Sequence, residues 1–276
     1  MAAEGWSKHA VVYDKVWSPL MEPYCRDAFI LISSLLPPGG AIIDVACGTG
    51  TLAVMAASQG FNVLATDISP GMLELVKEKG RLRGDIAVPI SVKFADGQSL
   101  SGVPSDSYDG ALSTFGTFMF PSRDEGWKSI LRVLKEDGVL AAISWDRDCI
   151  FSQLGDQLRS LLPGQSARGF SQNPTMTSSG FKEEIVACGF HQVETVTSNH
   201  DSLFPSGGAF LEALMDNPGY LGVAAIVGRD VVEKMIEDFA FTHDLIIKQP
   251  GRSFMDSRIQ FSNAAHICIA KKHKTL

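Results

Sequence analysis

Three carboxylates and one glycine-bearing turn stand in this chain at intervals that suit the binding of a nucleoside. Asp44 is taken into the apolar run that opens with Ala41-Ile42-Ile43, and the small-residue turn Ala46-Cys47-Gly48-Thr49-Gly50 follows at once. Asp67 ends a second apolar run, Val63-Leu64-Ala65, 19 residues after Gly48. Asp96 ends a third stretch, Ser91-Val92-Lys93-Phe94-Ala95. Glycines let a backbone approach a ligand closely, and the first amides of a following helix turn positive partial charge toward it. A carboxylate at the tip of the next strand accepts from both ribose hydroxyls, and roughly 20 residues separate such a turn from its ribose acid.

The elements that must hold these groups follow from the hydrophobic periodicity. Residues 41–67 read as strand, tight turn, short helix (Leu52, Met55, Ala56), glycine stop at Gly60, and strand, one βαβ unit. Ahead of it, residues 6–22 carry Trp6, Tyr13, Trp17 and then Pro19, which predicts a short helix or two. Phe29, Ile32, Leu35 and Leu36 predict a further helix ended by Pro37-Pro38-Gly39-Gly40. Ser69-Pro70 is a helix start, with Ser69 as N-cap. A strand ends on Asp96, another runs up to Thr114, and an apolar loop, Phe115 to Phe120, follows. Asp124–Leu134 is an amphipathic helix, Lys135 to Gly138 a turn, and Val139–Trp145 a strand. Alternation through Trp145 predicts a parallel sheet with helices on both faces and the tips Gly48, Asp67, Asp96 and Thr114 along one edge, where ligands bind in open α/β sheets. Apolar loop residues at that edge line a pocket, with Thr114 and Phe115 toward the cofactor and Met119 and Phe120 toward the substrate.

Beyond Trp145 the rhythm changes. A helix (Phe151–Leu162) and a Gly/Ser/Gln/Asn-rich loop precede a helix from Ser178 to Cys188 and a strand from His191 to Asn199. Residues 200–258 hold helices, including a long one over roughly Arg229–Ile247, and Phe261–Ala270 is the final strand.

Two ligand families share the opening layout. Gly48-Thr49-Gly50-Thr51-Leu52-Ala53 fits G-x-G-x-x-A, the dinucleotide pattern. Asp44-Val45-Ala46-Cys47-Gly48-Thr49-Gly50 resembles the acid-x-Gly-x-Gly-x-Gly motif of class I S-adenosylmethionine-dependent methyltransferases, with Ala46 in place of the first glycine. An acid inside the first strand suits a cationic cofactor with an amino group better than a pyrophosphate. Phe118 to Trp145 is similar to the corresponding part of the ubiquinone/menaquinone-biosynthesis type of small-molecule methyltransferase, so the resemblance covers residues 41–145 well and the rest loosely.

The resemblance implies a single Rossmann-like domain over residues 1–276, with seven strands in the order 3-2-1-4-5-7-6 and the last strand antiparallel. It also implies a helical lid (1–37) and cap insertions (146–177 and 200–258), the loop before Pro174 being mobile. S-adenosyl-L-methionine is the implied cofactor. Its expected contacts are Tyr13 in the lid, Asp44, Ala46, Gly48 and Gly50 in the turn, and Asp67, Ile68 and Met72 after the second strand. Ala95-Asp96-Gly97 at the adenine, and Thr114 and Phe115 near the methyl group, complete the set. Trp17, Met119, Phe120 and Trp145 are the expected substrate contacts.

Methyl transfer from a sulfonium is an in-line displacement whose leaving group is already activated, so alignment supplies much of the rate and no fixed triad is required. His200, placed after a strand and before a cap loop, is the foremost candidate base, His9 in the lid the second; His243 and His266 sit in core patterns. No Ser-His-Asp pattern or metal-ligand spacing is present, and no metal is expected. Three activities fit these residues: methyl transfer to an O, N or C atom of a small organic acceptor; a cyclisation, rearrangement or decarboxylation using the same cofactor site; and NAD(P)-dependent oxidoreduction.

Composition narrows the partners. The 276 residues carry a net charge of −7 and no long basic run, which does not supply the phosphate-driven affinity nucleic acid needs. Five cysteines without paired spacing read as reduced core thiols; Cys47, beside a helix N-terminus, has the setting of an acidic thiol but reads first as a small filler of the turn. The opening MAAEGWSKHAVVYD lacks the basic n-region and apolar core of a secretory signal, and Tyr220–Val227, the longest apolar run, is too short to span a bilayer. The expectation is a cytoplasmic protein with a small-molecule substrate, no nucleic acid and no membrane; oligomeric state leaves no mark in the sequence.

Overall fold

A computed structural model describes residues 2–82, 84, 86, 88–164, 170–247 and 250–272. The strands are β1 (Ala41–Val45), β2 (Asn62–Asp67), β3 (Ser91–Phe94), β4 (Tyr108–Thr114), β5 (Leu134–Trp145), β6 (Phe190–Phe204), β7 (Ile246–Ile247) and β8 (Arg258–Lys272). They form one sheet in the order β3-β2-β1-β4-β5-β8-β6, with the two-residue β7 laid on β8. β1 to β5 pair in parallel, and β8 runs antiparallel to both β5 and β6. The order is the one the resemblance implies, with β8 as its seventh strand once β7 is set aside.

Alternating side chains on β1 divide the core into two. Ile42 joins a cluster under α1 (Ala2–Ser33), α2 (Thr51–Ser58), α3 (Pro70–Leu82), α5 (Ile150–Ser160), α7 (Gly207–Met215), α8 (Pro218–Val227) and α9 (Arg229–Thr242). Ile43 and Val45 join the opposite cluster under α4 (Arg123–Val133) and α6 (Ser178–Ala187). The register sets Asp67 opposite Phe94 and Thr114 opposite Ile143, so the strand tips share one edge.

Several elements differ from their sequence reading, each for a physical reason. α1 is one helix of 32 residues, running through Pro19 and Pro23, rather than a short helix or two and a separate one. An interior proline costs about 3 kcal/mol. Burial of Ala10, Trp17, Met21, Tyr24, Ala28 and Ile32 along a single stripe offsets it. β6 continues past Asn199 to Phe204 and takes in His200. Ser198 and Ser202 occupy its buried positions while Val196 and Leu203 face out, so its alternation is invisible in the residue types. α9 stops at Thr242, because Asp244 turns left-handed (φ 52°) and releases Ile246 and Ile247 to pair with β8. Lys135 to Gly138 loops out of β5 as a bulge between Leu134, opposite Tyr108, and Val139, opposite Gly110.

Residues 165–169, in the loop read as mobile, and the polar end 273–276 lie outside the described residues. All five cysteines are unpaired and buried. Among the described residues, no helix is long and apolar enough to cross a membrane.

Candidate functional site

The glycine turn is bent by left-handed residues: Ala46 at φ 55°, Gly48 at 54° and Gly50 at 81°. Gly50 is required twice over, since a Cβ there would also come within 2.8 Å of Val76. Asp67 braces this turn to the next helix. Its Oδ2 accepts from the Gly48 amide at 3.0 Å and its Oδ1 from the Ser69 amide at 2.8 Å, and Ser69 caps the start of α3 through the Met72 amide at 3.2 Å. Burial pushes the Asp67 carboxyl above its ordinary range, against the pull of those amides. Burial likewise drives the Cys47 thiol well above the ordinary range, as fits a small buried filler of the turn rather than an acidic thiol.

Asp44 lies directly behind the turn, fully buried. Among the described residues, no group hydrogen-bonds either carboxylate oxygen. Burial pushes its pKa up to about 8, with the neighbouring Asp67 adding to the shift; the Ala53 amide pulls the other way without reaching hydrogen-bond geometry. An aspartate left this way in the protein alone is a group awaiting a cationic partner.

α1 closes the edge from above. Ser7 Oγ meets Ser69 Oγ at 2.9 Å, Ser18 Oγ meets Thr49 Oγ1 at 2.8 Å, and Lys79 bonds both Asp14 and the Thr49 carbonyl. Gly71 lets the two helices touch, because a Cβ there would stand 2.7 Å from the Ser7 carbonyl oxygen. Gly71→Ala is therefore expected to lift the first turns of α1. It should lower stability by about 1–3 kcal/mol and expose that segment to limited proteolysis; an unchanged melting temperature and cleavage pattern would count against this docking.

Under α1 lies a cavity of about 400 Å³. Of the expected cofactor contacts, Tyr13, Ala46, Gly48, Asp67 and Ile68 line it, as do Met72, Asp96, Thr114 and Phe115. Asp44, Gly50, Ala95 and Gly97 stand behind its wall; Gly97 leaves room for the Phe120 ring. Asp96 is exposed at the rim, its Oδ1 held by the Gln98 amide at 2.9 Å. Phe115 sits in the wall at φ 53°, a strained conformation for an aromatic residue, kept by the packing around it.

A second cavity, about 410 Å³, adjoins the first. Trp6, Tyr13, Met21, Phe115 and Met119 line both. Trp17 and Trp145 line the second as expected, whereas Phe120 faces only the first. The Phe115 and Trp145 rings lie 4.2 Å apart, and Trp17 meets Phe151 edge-on at 5.3 Å. Residues of α5 and α8, Phe151, Arg159 and Tyr220 among them, complete this chamber. Their helical spacing reads as ordinary core packing, so no sequence signal marks them.

The histidines stand elsewhere. His200, the foremost candidate base, lies within β6; its Nε2 meets Asp27 Oδ2 at 2.8 Å, and its ring packs edge-on against Tyr24. It lines neither cavity, and neither does His9. His243 ends α9 stacked on Phe239, and His266 is buried against Asp146 at 2.8 Å, its pKa lowered by that burial. Among the described residues, no group of three or more His, Cys, Asp or Glu is placed to hold a metal.

Comparison with known proteins agrees with this geometry. Residues 43–142 match a family model described as a methyltransferase domain. The chain is 30% identical to a 2-methyl-6-phytyl-1,4-hydroquinone methyltransferase of Synechocystis over 188 residues, 65% of this chain and 54% of the relative. It is 34% identical to the ubiquinone/menaquinone biosynthesis C-methyltransferase of Geotalea uraniireducens over 128 residues, 42% of this chain and 51% of that one. The chain thus spans about half the length of the curated relatives it matches. The crystal structure of the YcgJ protein from Bacillus subtilis shares the fold, with a TM-score of 0.61 at 15% identity, over 91% of this chain and 99% of its own.

Proposed function

We propose, from the premise that this chain carries a class I S-adenosylmethionine-dependent methyltransferase domain, that it transfers the methyl group of that cofactor to a small organic acceptor seated in the second cavity. The observation that carries this reading is Asp44, a fully buried carboxyl without a hydrogen-bond partner among the described residues, behind a glycine turn that Asp67 braces. Such a carboxyl ionises when a cation is brought beside it, which suits the ammonium of the cofactor's amino-acid end, whereas a pyrophosphate at the same turn would hold it protonated and unpaired, which argues against NAD(P).

Bound there, S-adenosylmethionine supplies a methyl group on a sulfonium, already activated for displacement. Each Asp67 oxygen spends one lone pair on a backbone amide and keeps another for the ribose hydroxyls. Asp96 at the rim suits the adenine amino group, and Ile68 and Met72 provide an apolar bed beside it. Phe115 and Met119, common to both cavities, form the boundary at which acceptor and donor meet. α1 covers that boundary and excludes water. With both partners held in adjoining chambers, alignment is the main catalytic contribution of these residues.

The test is a supply of methyl-labelled cofactor together with the small-molecule fraction of a cell extract. Label is expected to move into an organic product as S-adenosylhomocysteine accumulates. Calorimetry should show both cofactor forms binding and NAD(P)H failing to bind. Cofactor that binds yet keeps its label throughout turnover would overturn the transfer.

A further inference from the structure

The second cavity has a chemical polarity from end to end. The end next to the cofactor chamber is walled by Tyr13, Phe115 and Met119, while Arg159, Asn217 and Gly219 line only the second cavity, from α5 and the start of α8. No carboxylate lines the second cavity. Arg159 is exposed at its rim and has no carboxylate partner among the described residues, unlike Arg123, which is held by Glu184 at 3.0 Å. Asn217 Oδ1 accepts from the Gly219 amide at 2.9 Å, which orients the side chain and leaves both of its NH2 protons for a ligand. Both polar side chains at this end therefore offer donors, and the positive end of the α8 dipole lies beside them. In a chain whose net charge is −7, such a spot is a local reversal of sign. Between the two ends the walls are rings: Trp17, Phe118, Trp145, Phe151 and Tyr220.

We propose that the acceptor is an aromatic or polycyclic acid whose anionic oxygens are held by Arg159 and Asn217, at the end away from the atom that takes the methyl group. Arg159 is then a specificity-determining residue. This rests on the second cavity being the acceptor site. Flat faces stack on the ring walls, and the guanidinium selects an oxyanion, a carboxylate or a phosphate ester, over a neutral group of the same shape.

The experiment titrates 2-naphthoate, 2-naphthyl phosphate and neutral 2-naphthamide into protein saturated with S-adenosylhomocysteine, read by the fluorescence of the cavity tryptophans. The wild-type protein is expected to bind at least one anion about tenfold more tightly than the amide, a ratio that shrinks with added salt. The anion with the larger ratio identifies the headgroup. Arg159→Gln should bring the ratio close to one while S-adenosylhomocysteine still binds, which also shows that the variant folds; Arg159→Lys should keep part of it. A wild-type ratio near one, a ratio untouched by Arg159→Gln, or no binding of either anion at millimolar concentration overturns the proposal. Failure of the wild-type protein to bind S-adenosylhomocysteine is a separate result that sinks the methyltransferase reading, and this proposal with it.

Discussion

Asp67→Ala is expected to weaken binding of S-adenosylmethionine and S-adenosylhomocysteine by about 100- to 1000-fold. The carboxylate is buried, and the free lone pair on each oxygen is what the ribose hydroxyls would use. Hydrogen bonds to a charged acceptor are worth about 1.5–3 kcal/mol each, so losing two costs about 3–4 kcal/mol after water takes up part of the loss. The variant also leaves the Gly48 and Ser69 amides without their acceptor, which loosens the turn itself. Asp67→Asn keeps acceptor capacity on one side only and should lose about tenfold. Because burial raises the Asp67 pKa, protonation removes the acceptor at a higher pH than for an exposed aspartate. Cofactor affinity should accordingly fall early on acidification. Calorimetry across pH measures all of this, and an Asp67→Ala protein with wild-type affinity would end the cofactor assignment.

Asp44→Asn should act in opposite directions on stability and on binding. In the unfolded chain an aspartate ionises near pH 3.8, whereas Asp44 in the fold holds its proton up to about 8. Between those values the unfolded chain releases a proton that the folded chain keeps, so the cofactor-free protein loses stability as pH rises through that window. Asparagine carries no proton to release. The variant should therefore match the wild type near pH 4 and exceed it at pH 8 by up to about 5 kcal/mol, many degrees in Tm. Its affinity for S-adenosylmethionine should drop about 10- to 100-fold, since the buried charge that would meet the ammonium is gone. Parallel melts at the two pH values, with and without cofactor, check both signs; equal melting curves at pH 8 would show that Asp44 is not a strained, unpaired acid.

The residues expected at the cofactor were legible in the sequence because most of them are local. The turn at 46–50, the acid at Asp67 and the acid at Asp96 are tied to strand ends, and strand ends follow from runs of apolar residues and glycine stops. Nine of the expected cofactor contacts line one chamber, seven of them from strand ends, with Tyr13 and Met72 brought in by the packing of α1 and α3. His200 failed the same reasoning. Its position after an apparent strand suggested a loop, but pairing with Asn263 on β8 carries the strand onward and leaves the ring against Tyr24 and Asp27. Phe120 was displaced from the substrate side by Gly97, whose missing side chain makes room for the ring at the cofactor wall.

Periodicity and glycine placement were enough to determine the parallel sheet and the edge that gathers Gly48, Asp67, Asp96 and Thr114, since strand ends follow from runs of neighbouring residues, while the kind of cofactor followed from the resemblance of residues 41–145 to a methyltransferase family. Tertiary structure alone decided that α1 runs unbroken across two prolines, that Trp17, Phe151 and Tyr220 meet around one chamber, and that Arg159 lines that chamber and not its neighbour. Those contacts join residues from opposite ends of the chain. A buried helical face has the same residue pattern whether it fills a core or walls a pocket, and only the packing of the helices distinguishes the two.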